Sequence, residues 1–275
     1  MRDRVAPWPT RIFYSGAAMI QFDEINRQVI ESLKIDFKMK KSGDYLYGVC
    51  PSCGDKTLWA GIANPYFIQC NRHNNCGFAA TSKELFPDIY GDLNKKYPAT
   101  QEAPNQTADI YLATVRGFDI SRIAGWYTQA NYWHPNANKG TASVRFYLNA
   151  DKSIYWDRLI EEVILTDTDG SQETRKMSFK GSFKGLWWQP PGLVIKPDDT
   201  IYLVEGIFDA IALTLNGLKA VSIMSSVSLP VETIKQHAGK NITWVIALDN
   251  DEAGLKFLHK HAKRLETWAK ISARP

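Results

Sequence analysis

Long apolar runs are missing from this chain of 275 residues. None reaches the roughly 18 consecutive apolar residues that a membrane-spanning helix needs. The stretch from Met1 to Tyr14 holds Arg and Pro but no apolar core of the secretory kind, which points to the cytoplasm. Charge of one sign is scarce as well: 33 Lys and Arg against 29 Asp and Glu leave a net +4. That balance is too mild to argue for a polyanionic partner from the molecule as a whole. Cysteine is rare. Only four occur, all between Cys50 and Cys76. In a cytosolic protein such clustering favours a metal over disulfides. Internal repeats and low-complexity tracts are absent, which excludes solenoids and arrays. The glycine-rich phosphate loop of ATP-driven motors is absent too.

What is present sorts into regions. Residues 1–19 read as a tail. Residues 20–36 space Ile20, Ile25, Val29, Ile30 and Leu33 as an amphipathic helix. Short strands surround the cysteines, giving an expected small domain over 20–91. Residues 92–108 are polar, with Pro98 and Pro104, and read as a flexible linker. Residues 109–199 open on a helix near 108–116. They continue in strand alternation through Val144, Phe146, Leu148, Ile154 and Trp156, with turns at Asn149–Lys152 and Asp167–Gly170. From Ile201 the pattern is strand, helix, strand, helix, strand, helix. The helices fall near 209–216, 230–237 and 253–269, and the later strands near 220–223 and 243–248. That alternation predicts a parallel sheet covered on both faces over 200–275. The chain stops soon after the last helix, so a final edge strand is expected to be missing.

The cysteines form two knuckles, Cys50-Pro-Ser-Cys53-Gly and Cys70-Asn-Arg-His-Asn-Asn-Cys76-Gly. Four thiolates suit structural zinc in a closed tetrahedral site. His73 is the alternative fourth ligand. Cys76 is preferred because a glycine follows it, as Gly54 follows Cys53. Trp59, Tyr66 and Phe67 between the knuckles either stack on nucleobases or fill the thin core of a ribbon.

Two acidic motifs carry the chemistry. The first is Ile201-Tyr-Leu-Val-Glu205-Gly-Ile-Phe-Asp209-Ala210, and the second is Trp244-Val-Ile-Ala-Leu-Asp249-Asn-Asp251-Glu-Ala-Gly254. Each delivers carboxylates where an apolar strand ends and a helix begins. Carboxyl ends of parallel strands are where open α/β sheets bind ligands. Carboxylates crowded there repel one another unless a cation joins them, and hard oxygen donors suit Mg²⁺ or Mn²⁺. A calcium loop is disfavoured, since Ala253 and Lys260 stand where its further ligands belong. Residues 175–196 hold Arg175, Lys176, Lys180, Lys184 and Lys196, no acid, and the pair Trp187–Trp188. That mixture suits either a solvated face or a track for single-stranded nucleic acid.

Leu203-Val204-Glu205-Gly206 with Asp209-Ala210, followed by Ala247-Leu248-Asp249-Asn250-Asp251-Glu252-Ala253-Gly254, resembles a TOPRIM domain. Bacterial-type primases, topoisomerases and some nucleases share this fold. A zinc ribbon, a linker, a basic α+β subdomain and then TOPRIM is similar to the order in DNA primases, above all the primase half of phage or mobile-element primase–helicases. The resemblance implies a multi-domain α/β protein that makes short RNA primers from nucleoside triphosphates on single-stranded DNA. A replicative helicase in cis or in trans is the implied partner, with no membrane involved. It implies that Asp249 and Asp251 hold Mg²⁺ or Mn²⁺, that Glu205 is a further ligand or the general base, and that Asp209 is a ligand or only structural. Arg145, Arg158, Lys176, Lys180 and Lys184, with Arg116 in Arg116-Gly117-Phe118, are implied to hold template, primer or nucleotide phosphates. The ribbon departs from the commonest primase spacing, which puts two residues between its third and fourth ligands. Rival readings are a TOPRIM nuclease or topoisomerase, and a non-catalytic zinc-ribbon module that serves a helicase.

Overall fold

The computed structural model describes residues 16–72, 74–135, 137–166, 169–224, 229–249 and 270–273; of 16–22 and 270–273 only the backbone is described. The fold is mixed α/β, with two antiparallel sheets and one parallel sheet. The chain divides into two units. One comprises Met1–Ser121, Trp133–Ala142 and Ile160–Thr174, the other Arg122–Tyr132, Ser143–Leu159 and Arg175–Pro275.

The first unit opens on helix α1 (Gly16–Asp36). Ile25, Val29 and Leu33, four residues apart, make its buried stripe. A five-stranded antiparallel meander follows: β1 (Lys40–Ser42), β2 (Tyr45–Gly48), β3 (Leu58–Gly61), β4 (Phe67–Cys70) and β5 (Ala79–Thr81), in spatial order β1-β2-β3-β4-β5. Period-two alternation sorts its side chains. Leu46, Leu58, Ala60 and Ile68 are buried on one face, while Tyr45, Tyr47 and Phe67 are exposed on the other.

Helix α2 (Ser82–Leu85) starts at a capping box in which Thr81 and Glu84 exchange hydrogen bonds. The polar stretch 92–108 carries short helical turns at both ends. Helices α3 (Leu93–Lys96) and α4 (Gln106–Ile110) lie in or across it, and Leu93, Thr107 and Ala108 are buried. The Thr107 hydroxyl donates to the Tyr97 carbonyl at 2.7 Å. Between the two helices, residues 97–105 are irregular, and 98–102 are exposed. A π-helical turn over Tyr111–Val115 continues α4.

The second antiparallel sheet has order β6-β7-β8-β9, built of β6 (Thr128–His134), β7 (Lys139–Tyr147), β8 (Tyr155–Thr166) and β9 (Gln172–Lys180). Within the second unit, Phe146 on β7 is fully buried at the centre of an aromatic cluster. Its ring centroid lies 5.5 Å from Trp188 and 6.0 Å from both Trp156 and Phe208.

The parallel sheet comprises β10 (Thr200–Val204), β11 (Lys219–Ser222), β12 (Thr243–Ile246) and β13 (Lys270–Ala273), in order β11-β10-β12-β13. Every neighbouring pair is parallel. The edge strand expected to be missing is therefore present: Lys270–Ala273 pairs with Thr243–Ile246. Helix α5 (Ile207–Leu215) buries Ile207, Ala210, Ile211 and Leu215, and the short α6 (Val231–Lys235) buries Val231 and Ile234. The helix expected near 253–269 lies outside the described residues. Trp187 and Trp188, which the sequence left between a solvated face and a nucleic-acid track, are core residues. Trp187 packs 5.8 Å from Trp244, and Trp188 exchanges backbone hydrogen bonds of 2.8 Å with Ser222 at the β11 edge. Sealing an open sheet edge and filling a core use up both indoles.

Candidate functional site

The order β11-β10-β12-β13 has a topological consequence. From β10 the chain steps to β11 on one side, crosses back over β10 to β12, and proceeds outward to β13. The direction of winding thus reverses between β10 and β12. In open parallel sheets the crevice outside the carboxyl ends of the strands at such a reversal is where ligands bind. Glu205 follows the end of β10 and Asp249 lies just past β12, beyond the paired row Leu203–Ile246. Both carboxylates flank the reversal. The ladder runs one step further through the Ala247 amide, which donates to the Leu203 carbonyl at 2.9 Å. Glu205 is half-buried and Asp249 is exposed. Asp251 lies outside the described residues.

Asp209 stands in the first turn of α5, and its Oδ2 accepts the Gly206 amide at 3.2 Å. A β-carbon on Gly206 would come within 2.6 Å of that oxygen, so a larger residue there would push the Asp209 carboxylate out of its present capping position. Of the two roles left open for Asp209, the helix cap is the one with a described bond. Among the described residues, Glu205, Asp209 and Asp249 do not by themselves form a group close enough to share one ion.

The cysteine cluster is fully built. Cys50, Cys53, Cys70 and Cys76 place all four sulfurs within 4.8 Å of one another. Cys50 Sγ is 3.7 Å from Cys76 Sγ, and Cys53 Sγ is 3.9 Å from Cys70 Sγ. Four sulfurs held about 2.3 Å from a central ion at tetrahedral angles stand about 3.8 Å apart. The thiols therefore have the spacing of a zinc tetrahedron, and no disulfide joins them. The backbone shapes the knuckles: Gly54 donates to Cys50 O at 2.9 Å, and Cys76 donates to Arg72 O at 2.7 Å. Gly54 and Gly77 both take positive φ, 75° and 67°. Register sets Leu58 opposite Cys70, which brings the two knuckles to the same end of the meander.

Two surrounding contacts were not anticipated. The Thr57 hydroxyl lies 3.1 Å from Cys70 Sγ, and Arg72 pairs with Asp55 between the knuckles. Burial pushes the Cys50 thiol up to about 11, whereas hydrogen bonds from Ser52 and the Phe78 amide draw Cys76 down to about 6. His73 lies outside the described residues.

The cations expected to hold phosphates fall in several places. Lys176 and Lys180 on β9 and Lys184 beyond it are exposed. Arg158 is half-buried on β8. Arg116 belongs to the first unit and donates to the Tyr111 hydroxyl at 3.1 Å. Arg145 is committed elsewhere: its Nε and Nη2 each bond Asp157 at 2.8 Å, with the Tyr155 ring 3.6 Å away. That fork is closed, and Asp157 is 3% exposed. The sequence carried a signal for the pairing, since Arg145 and Asp157 sit near opposite ends of a predicted hairpin on positions of equal parity.

Residues 202–274 match the Toprim-like family. The match begins in β10 and covers both acidic motifs, so the Toprim-like segment contains the reversal point and its carboxylates. Among solved structures, the chain matches the zinc-binding and RNA polymerase domains of the Aquifex aeolicus primase at 12% identity. That match covers 92% of this chain and 78% of the other, with a TM-score of 0.33. No curated protein matches the chain. Among the described residues no helix is long and apolar enough to cross a membrane.

Proposed function

We propose that the chain is a DNA primase, synthesising short RNA primers from nucleoside triphosphates on single-stranded DNA by metal-dependent nucleotidyl transfer. The observation that carries this reading is the pair Glu205 and Asp249 at the winding reversal of a Toprim-like sheet, in a chain that also builds a four-thiol site. Glu205, Asp249 and Asp251 are the residues that would hold Mg²⁺ or Mn²⁺. Such an ion, when bound, supplies charge neutralisation at the α-phosphate and a more acidic attacking hydroxyl. Asp209 keeps the start of α5 in place beside them. Lys176, Lys180, Lys184, Arg158 and Arg116 neutralise phosphates of template and nucleotide, while Arg145 holds the hairpin together.

The cysteine site holds one structural zinc and with it the meander. Tyr45, Tyr47, Trp59 and Phe67 line the meander's outer face beside Lys40, an aromatic and basic surface suited to stacking the bases of a single-stranded template. We keep the division into a zinc-ribbon domain at 20–91, a basic subdomain at 109–199 and a TOPRIM domain at 200–275 as part of this proposal. So too are a replicative helicase as partner and a cytoplasmic setting.

The test is unprimed synthesis. Zinc-loaded protein is incubated with single-stranded DNA, labelled nucleotides and Mg²⁺ or Mn²⁺. Template-dependent oligonucleotides that vanish with Asp249→Ala support the proposal. Degradation of the DNA with no product points to a nuclease, and neither product nor degradation over a range of templates points to a binding module.

A further inference from the structure

Ser222 interrupts an otherwise apolar strand, Ala220-Val221-Ser222-Ile223, and is fully buried. Its hydroxyl bonds two backbone groups at the sheet's carboxyl edge. It donates to the Glu205 carbonyl oxygen at 2.7 Å and accepts the Met224 amide at 3.2 Å. The Met224 sulfur, at 3.5 Å, is a weak competitor for the single hydroxyl proton. Carbonyls along β10 alternate sides: Leu203 O serves β12 through Ala247, and Val204 O serves β11 through Ile223. By that alternation Glu205 O belongs to the β12 side. The Ser222 hydroxyl reaches it from β11, at the point where Glu205 leaves the strand.

Two further constraints converge on the same serine. Its own amide and carbonyl are both bonded to Trp188, which fixes its position. Met224, two residues on, is held at φ 64°, a left-handed conformation that is costly for a non-glycine residue and persists where its surroundings impose it. The Ser222 hydroxyl is one of the groups that impose it.

We infer that Ser222 is a positioning residue for the acidic site: its hydroxyl fixes the backbone of Glu205 and so sets where that carboxylate stands for a divalent cation. This rests on the reading of Glu205 as a metal-binding carboxylate. It assigns the task to a group with no contact to metal or nucleotide of its own.

The experiment is a double-mutant cycle on Mn²⁺ affinity, read by the paramagnetic signal of free Mn²⁺, with unprimed synthesis followed in parallel. Ser222→Ala is expected to raise the half-saturating Mn²⁺ five- to tenfold and to slow incorporation by a similar factor, leaving the nucleotide KM unchanged. Ser222→Thr, which keeps the hydroxyl, stays within twofold of the parent. In a Glu205→Gln background, Ser222→Ala adds less than twofold. Should Ser222→Ala lose its cooperative melt, Ser222→Cys, close in volume and a weaker donor, is carried through the same cycle. Unchanged Mn²⁺ affinity in the folded variant overturns the inference while leaving the metal site standing. A five- to tenfold effect that persists in the Glu205→Gln background overturns it also, because the serine then acts by another route. A parent protein that binds no Mn²⁺ removes the inference together with the reading beneath it.

Discussion

Replacing Arg145 by Met is expected to cost about 3–5 kcal/mol of stability, the usual penalty for removing one partner of a buried ion pair. The structure places the case at that end of the scale. Asp157 is 3% exposed and Arg145 19%, and two bonds of 2.8 Å join them in a planar fork. The Asp157 bond and charge hold the guanidinium firmly in its charged form. Removing the arginine leaves a carboxylate with little water and no counter-charge. It also uncovers the Tyr155 ring 3.6 Å away, a cation–π contact worth roughly 1 kcal/mol. At about 2–4 °C per kcal/mol for a unit of this size, the melting temperature should fall by roughly 10 °C. Thermal and urea melts followed by tryptophan fluorescence measure it, since Trp156 flanks the pair in sequence. Two comparisons keep the result specific. Lys235→Met breaks an exposed pair with Glu232 and should cost less than about 1 kcal/mol. Arg145→Met combined with Asp157→Val, which removes both charges, should recover most of the loss. A cost below about 1 kcal/mol for Arg145→Met, or a drop in the salt dependence of DNA binding without loss of stability, would refute the reasoning and return Arg145 to the phosphates.

Metal analysis of purified protein should find one zinc per chain, lost with Cys50→Ser or Cys70→Ser; a Cys76→Ser protein that retains full zinc would transfer the fourth ligand to His73. Lys180→Ala and Lys184→Ala should each lower the slope of log affinity against log salt for single-stranded DNA by about 0.7, and an unchanged slope would place both lysines on a solvated face. Lys219 bonds Asp199 at 2.5 Å, and with the Lys196 amide it holds that carboxyl below the usual aspartate range. A carboxyl depressed in the folded state stabilises above its unfolded pKa and loses that contribution as pH falls through the folded value. Lys219→Met should therefore be less stable than the parent near neutrality, with the two melting curves converging in acid; a gap that persists at low pH would mean the lysine acts by packing.

The elements most legible in the sequence are those with strong periodicity. The parallel strands near 201, 220 and 243 could be read because short apolar runs alternated with helical spacing, and the cysteine knuckles because their spacing is itself a geometry. Strand order was not legible. Nothing in the residues of β11 or β13 says on which side of β10 each will pair, yet that order is what puts the winding reversal between β10 and β12. The helical turns at the ends of the 92–108 stretch were not legible because composition reports the average residue, whereas Leu93, Thr107 and Ala108 are individually buried. The place of Trp187 and Trp188 was not legible for a related reason: basic neighbours colour a segment even when the indoles turn inward. Thr57 and Ser222 carried a faint signal, a hydroxyl inside or beside an apolar strand that must find a partner. Which partner depends on residues distant in sequence.

Alternation in the β7–β8 hairpin divides two arginines that sequence reasoning had pooled. Register pairs Arg145 with Asp157 and Tyr147 with Tyr155 on one face, and Val144 with Arg158 and Phe146 with Trp156 on the other. The second face meets α5, where Phe208 lies 6.0 Å from Phe146 and 5.7 Å from Trp156. Phe208 stands between Glu205 and Asp209 in sequence, so the aromatic contact ties the hairpin to the stretch of chain that bears both acids. Arg158 shares that face, two positions along β8 from Trp156; Arg145 shares the opposite one and is bonded within it. Arg158 therefore stands on the hairpin face that packs against α5, and Arg145 on the face closed by Asp157. The division follows from the period-two geometry of a strand, under which moving either arginine by one residue would exchange their roles.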